Sequence, residues 1–131
     1  MTAATRVARA YQQTHVGSRS PRELVSLLYD GAVHRLTVAS EALARGDRIA
    51  KSQAISDALA IIGELQNTLN MQQGGPIAVS LDALYTYVNG RLLDANVGND
   101  AASLQESLRV LSPLRDAWAQ VALAERQHGG A

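Results

Sequence analysis

The sequence predicts an all-α fold: an antiparallel up-down four-helix bundle with a short N-terminal helical arm. Three observations carry this. Apolar residues recur at helical spacing in four long segments. Capping and stop residues bracket those segments. No stretch alternates apolar and polar with the period of a strand. A length of 131 residues suits one domain with a real core.

Residues 1–19 are polar, with Met1, Val7, Tyr11 and Val16 as the large apolar side chains. They are expected to form a mobile arm, with a short helix over 2–12 and a connector over 14–20, that docks through Tyr11. The bundle domain then covers 20–125, and 126–131 is expected to be a disordered tail.

The first bundle helix is predicted over 21–45. Ser20 can cap it, Pro21 fits its first position, and Glu23 completes a capping box. Its apolar residues fall on two faces. Val25, Leu28, Tyr29, Ala32 and Leu36 form one stripe; Leu24, Leu27 and Val38 form a second. One stripe covers a core, and a second must cover something else. Gly46 stops the helix and Asp47 caps the next, predicted over 48–69. Ile55, Ala58, Leu59, Ile62, Leu65 and Leu69 make its main stripe, flanked by Ala54, Ile61 and Thr68. Gly74-Gly75 breaks the pattern and Pro76 restarts a helix over 76–95, with Ile77, Leu81, Leu84, Val88 and Leu92 inward and Tyr85 and Tyr87 beside them. Gly90 is a weak point within it. Asp100 caps a fourth helix over 101–125, with Leu104, Leu108, Leu111, Trp118 and Ala122 inward; Pro113 should bend it.

Composition excludes several functions. Lys+Arg and Asp+Glu both number 12, so the basic footprint of a nucleic-acid binder is absent. With no Cys there is no disulfide, thiolate site or sulfur redox chemistry. No apolar run reaches the roughly 20 residues of a membrane span, and no apolar leader segment opens the sequence, so a cytoplasmic protein without membrane insertion is expected. Charged residues make up 18% against the roughly 25% of ordinary domains, which leaves apolar surface for a partner.

Catalytic patterns are missing. His15, His34 and His128 are scattered, and Asp30 with His34 reads as an intrahelical polar pair. Glu125 and His128 have the Glu-x-x-His spacing of di-iron bundles, but only once and in the tail. There is no nucleophile elbow, and Gly74-Gly75 lacks the Lys-Ser/Thr of a phosphate loop. Asp82, Asp94 and Asp116 read as surface charges or tethers to Arg91 and Arg115. Neither an enzyme, a metal site nor a cofactor is expected. Two adjacent helices with surplus apolar stripes suggest instead a groove for a partner helix.

The runs Ala10-Tyr11-Gln12, Ser20-Pro21, Leu28-Tyr29-Asp30-Gly31-Ala32, Leu69-Asn70-Met71 with Gly74-Gly75, Leu81 with Leu84-Tyr85 and Tyr87, Arg91-Leu92 with Ala95-Asn96, and Leu114-Arg115-Asp116-Ala117-Trp118 resemble, in order and spacing, the FliS family of flagellar export chaperones. The resemblance covers about residues 8–122. Gly90, Asn70 and Pro76 depart from the family's usual residues. It implies a cytoplasmic helical bundle that binds the disordered C-terminal segment of flagellin, prevents premature polymerisation and contacts the flagellar export apparatus. It also implies an N-terminal arm whose tyrosine, here at Tyr11, covers part of the groove when flagellin is absent. Leu24, Leu27, Ile55, Leu59, Ile62, Leu65, Tyr85 and Tyr11 are the expected groove residues. Asp30 and Arg115 are expected to be structural tethers and Trp118 a core residue. The alternative is a self-associating structural or adaptor bundle, and a weak homodimer is compatible with either.

Overall fold

The computed structural model describes residues 20–69 and 71–129, the side chains of 71–73 and 129 apart. The arm expected over 1–19, with Tyr11, lies outside the described residues. The described residues form four helices: α1 (Pro21–Ala44), α2 (Arg48–Asn67), α3 (Met71–Gly98) and α4 (Ala101–Gly129).

The helix starts are where the caps place them. The Ser20 hydroxyl accepts the Glu23 N–H at 3.1 Å, with Pro21 in the first turn. Asp47 accepts the Ala50 N–H at 3.0 Å. Asp100 accepts from the backbone of Ala102 and Ser103 and from the Ser103 hydroxyl, the last at 2.8 Å. Between α1 and α2, Gly46 takes a φ of +78°, which lets its N–H and that of Asp47 return to the carbonyls of Leu43 and Ala42.

Two boundaries differ from expectation. α3 begins before Pro76, because Met71–Gly74 form a helical turn that joins the main helix across a break at Gly75 (φ 56°, ψ −138°). Only glycine reaches that backbone conformation without strain. The helix of α4 runs straight on to Gly129, so 126–129 are helical. Arg126 and His128 suit the negative end of its dipole, and Glu125 is tied to Arg22 of α1 at 3.5 Å. Pro113 stands exposed within α4, where its missing N–H lies on the solvent side, and the helix continues through it.

α1 packs on α2 and α4, and α3 packs on the same two, so α1 and α3 face each other across the diagonal. The interior is filled by Leu28, Tyr29 and Leu36 from α1, Ile55, Ile61, Ile62 and Leu65 from α2, Tyr85, Val88 and Leu92 from α3, and Leu104 and Leu111 from α4. Two expectations for the interior are corrected. Ile77 is 74% exposed, because the break at Gly75 leaves the first turns of α3 at the edge of the bundle. Trp118 is half-buried and packs against the core from outside.

Polar side chains lock the elements together. Lys51, the only lysine in the sequence, is buried and donates to the Asn96 carbonyl at 2.9 Å and the Asn99 side chain at 2.6 Å. This fastens the start of α2 to the turn after α3. Gln66 of α2 donates to Asp82 at 3.1 Å, and Arg35 of α1 reaches Asp57 of α2 at 3.7 Å. Arg91 of α3 pairs with Glu106 of α4 at 3.3 Å, and Glu106 also accepts from the Tyr87 hydroxyl. Arg91 and Arg115 hold Asp94 and Asp116 as the sequence suggested. Arg115 does not bond Asp30 directly, but its charge counters the upward push that partial burial gives the Asp30 carboxyl.

Candidate functional site

At the end of the bundle where α1 begins, three aromatic residues on three helices meet. The phenols of Tyr29 (α1) and Tyr85 (α3) bond at 2.5 Å, with ring centroids 6.3 Å apart. The Trp118 ring (α4) stacks on Tyr29 at 6.5 Å and 20°. Burial pushes the Tyr29 hydroxyl above its ordinary range, with its contacts to Tyr85 and Trp118 pulling the other way. Burial and the bond to Tyr29 both push Tyr85 up. Both phenols are therefore neutral at physiological pH and act as a fixed polar pin in an apolar setting.

Tyr85 and Trp118 also form the floor of an open apolar pocket of about 530 Å3. Val25 of α1, Leu69 after α2, and Ile77 and Leu81 of α3 make its walls, and Arg22 brings the one charge among the described lining residues. The glycines are part of this geometry. A Cβ on Gly74 would meet the Ala78 Cβ at 2.5 Å, so the turn before the break can lie this close only without a side chain. The pocket offers shape and apolar area with no convergent acid, base or nucleophile. Among the described residues no group of three or more His, Cys, Asp or Glu could hold a metal, and no helix is long and apolar enough to cross a membrane.

A smaller recess of about 290 Å3 lies between α1 and α4, lined by Glu23, Ser26, Leu27 and Asp30 with Ala119, Ala122 and Arg126. It is more polar than the first.

The sequence-predicted groove residues are scattered by this arrangement. Tyr85 is in the main pocket. Leu27 lines the smaller recess, and Leu24 and Leu59 are half-buried against the core. Ile55, Ile62 and Leu65 are fully covered, because α2 lies between α1 and α3 and both neighbours close over its central stripe. Tyr11 is outside the described residues. Val25, Leu69, Ile77, Leu81 and Trp118 line the pocket without having been assigned to it. The signal that could have found them is the break at Gly74-Gly75, read as a stop. A break there keeps the start of α3 from closing on the end of α2.

Comparison with known proteins agrees with the resemblance read from the sequence. A family model described as "Flagellar protein FliS" matches residues 3–125. The chain is 41% identical over 118 residues to the flagellar secretion chaperone FliS of Salmonella typhimurium, covering 86% of this chain and 87% of that protein. It is 36% identical over 122 residues to the flagellar secretion chaperone FliS of Bacillus subtilis, covering 92% and 90%. To that of Vibrio cholerae it is 32% identical over 117 residues, covering 86% of each.

Proposed function

The chain belongs to the FliS family of flagellar chaperones, which is not a family of enzymes, and from that premise we propose that it binds the disordered C-terminal segment of flagellin with the Tyr85–Trp118 pocket as an anchoring site. The observation that carries this reading is Ile77, a large apolar side chain 74% exposed over an apolar pocket whose described lining brings a single charge. An exposed isoleucine at such a mouth is placed to be covered by a partner.

The energetics set the extent of the contact. Ordering a disordered segment costs about 2–5 kcal/mol and association itself about 4–15. Together these need about 240–800 Å2 of apolar burial at ~25 cal/mol per Å2. A pocket of about 530 Å3 takes one or two side chains. The client therefore anchors there and continues along the surface, past half-buried residues such as Leu24, Leu27 and Leu59. Holding the segment in this way hides a surface that flagellin uses to polymerise, and the complex is handed to the export apparatus from the cytoplasm. Arg22 and Val25 of the pocket wall stand in the first turns of α1. The segment that precedes α1 in the sequence, with Tyr11, acts as an arm that competes with the client for this surface.

Trp118 is the only tryptophan in the sequence, so its fluorescence reports on the pocket. A peptide from the C-terminus of the cognate flagellin should shift the Trp118 emission to the blue as it gains helical circular dichroism. Binding with unchanged emission would move the client away from this pocket. No binding at all would remove flagellin as the client.

A further inference from the structure

Arg22 stands between two recesses at the end of the bundle where α1 begins. On one side is the Tyr85–Trp118 pocket. On the other is an open, largely apolar recess of about 540 Å3, which Arg22 lines together with Val121, Ala124, Glu125 and His128 of α4. Trp118, Val121, Glu125 and His128 are spaced 3, 4, 3, so they share one face of α4. Trp118 belongs to the first recess and the other three to the second. Val121 is 40% exposed there. The two recesses form one track along about 15 Å of α4, with Arg22 where they meet.

The guanidinium is set to receive a second carboxylate. The Arg22 side chain is 65% exposed, and its Nη1 lies 3.5 Å from Glu125 Oε2. That contact is an ion pair only, because Glu125 Oε2 is buried and accepts no hydrogen bond from the described residues. Arg22 carries five N–H donors in a planar fork, and no described residue accepts one. Arg91 shows what such a fork does on this surface. Its Nη1 reaches Asp94 at 3.4 Å and its Nη2 reaches Glu106 at 3.3 Å, so one guanidinium holds two carboxylates. Arg22 has only the first of its two. A client without an acceptor would cover the fork and leave its donors unmet, which is costlier than leaving them in water. The track continues on both sides of Arg22, so the client passes over it, and the acid comes from within the segment and not from its end.

We infer that Arg22 is a specificity-determining residue of this track: it pairs with one Asp or Glu side chain of the bound segment, set between two apolar anchors that enter the two recesses. On a client helix this means apolar residues at i and i+7 with the acid at i+3 or i+4, all on one face. The anchors supply area, and the charge selects register and rejects segments that lack the acid. This pairing rests on the flagellin reading and adds a requirement to it.

The test is calorimetric titration of the full chain with a peptide from the C-terminus of the cognate flagellin, and with a set in which each acidic side chain in turn becomes its amide. Arg22→Gln removes charge at an exposed position, so its melt should match the parent's. It should bind the parent peptide about tenfold or more weakly. One amide peptide should show the same loss with the parent protein and little further loss with Arg22→Gln. A lysine at that peptide position should restore binding to Arg22→Glu. Val121→Ser should weaken the parent peptide, since an anchor enters the second recess. If the parent peptide does not bind, the flagellin reading falls and the pairing with it. If it binds and Arg22→Gln binds it equally, or no acidic position couples to Arg22, the pairing alone is overturned. Parental affinity in Val121→Ser overturns the two-recess track. Amidation of the peptide's terminal carboxyl that reproduces the loss, where no side-chain amide does, also overturns the proposal, because the client would then end at Arg22.

Discussion

The hydroxyls of Tyr29 and Tyr85 bond at 2.5 Å across the diagonal of the bundle, between two helices whose backbones do not pack on each other. The pair spans the interior and supports the pocket floor from below. Removing one hydroxyl strands the other in an apolar setting, at a cost of about 1–3 kcal/mol. Tyr29→Phe should cost more than Tyr85→Phe, because Trp118 is a second hydrogen-bonding neighbour of the Tyr29 hydroxyl and not of Tyr85. The double Phe variant should lose less than the sum of the two. Urea denaturation of the three variants measures the cycle.

The same pair sets an alkaline limit. Both phenols are raised above an ordinary value near 10 when the chain is folded. The folded state therefore holds these protons more tightly than the unfolded one. That contribution is fully present below about pH 10 and is lost as pH rises through the folded values. Melting temperature should fall between about pH 10 and 12, and the fall should be smaller in the Tyr29→Phe/Tyr85→Phe protein. An equal alkaline fall in both proteins would place the responsible groups elsewhere.

Much of the fold was legible before the structure. Ser20, Asp47 and Asp100 mark three helix starts because a capping side chain acts within its own turn. The inner stripes of α1 and α2 follow from spacing alone. The site was less legible. A period of 3.6 residues says which side chains share a face, not which face meets a neighbour. Ile55, Ile62 and Leu65 looked as available as Leu24, and only the position of α2 between α1 and α3 covers them. Ile77 continues the inward stripe of α3 by spacing, yet the break at Gly75 leaves it exposed. Lys51 gave no signal at all, since its partners are 45 and 48 residues away.

Lys51 should be both structural and chemically silent. Lys51→Met keeps most of the buried stem but leaves the Asn96 carbonyl and the Asn99 side chain without their donor. A loss of about 1–3 kcal/mol is expected. In the folded protein an amine-acylating reagent should leave Lys51 unmodified, and in denaturant it should react. Mass spectrometry of the peptide that contains it distinguishes the two cases.

The glycines of α3 should respond in opposite directions. Gly75→Ala forces a side chain onto a φ of 56° and a ψ of −138°, at about 1–3 kcal/mol. Gly90 lies in regular helix with open space at its Cβ position, so Gly90→Ala should stabilise by about 0.5–1 kcal/mol. Thermal melts of the two variants give the comparison directly. If Gly75→Ala is neutral, the break does not hold the start of α3 in place.

Ile77→Ser separates folding from binding at the pocket mouth. Ile77 is 74% exposed, so little apolar area is lost from the free protein and the melt should move by no more than about 0.5 kcal/mol. In the proposed complex the client covers this side chain, where burial of an isoleucine contributes about 1.5–3 kcal/mol. The variant should therefore bind a flagellin C-terminal peptide about tenfold or more weakly. Trp118→Ala should not separate the two in this way. Its ring stacks on Tyr29, so stability and affinity should fall together, although by less than the ~3–5 kcal/mol of a fully enclosed ring. Calorimetric titration of both variants, beside their melts, tests the contrast. An Ile77→Ser protein with parental affinity would mean that the client passes the pocket without entering it.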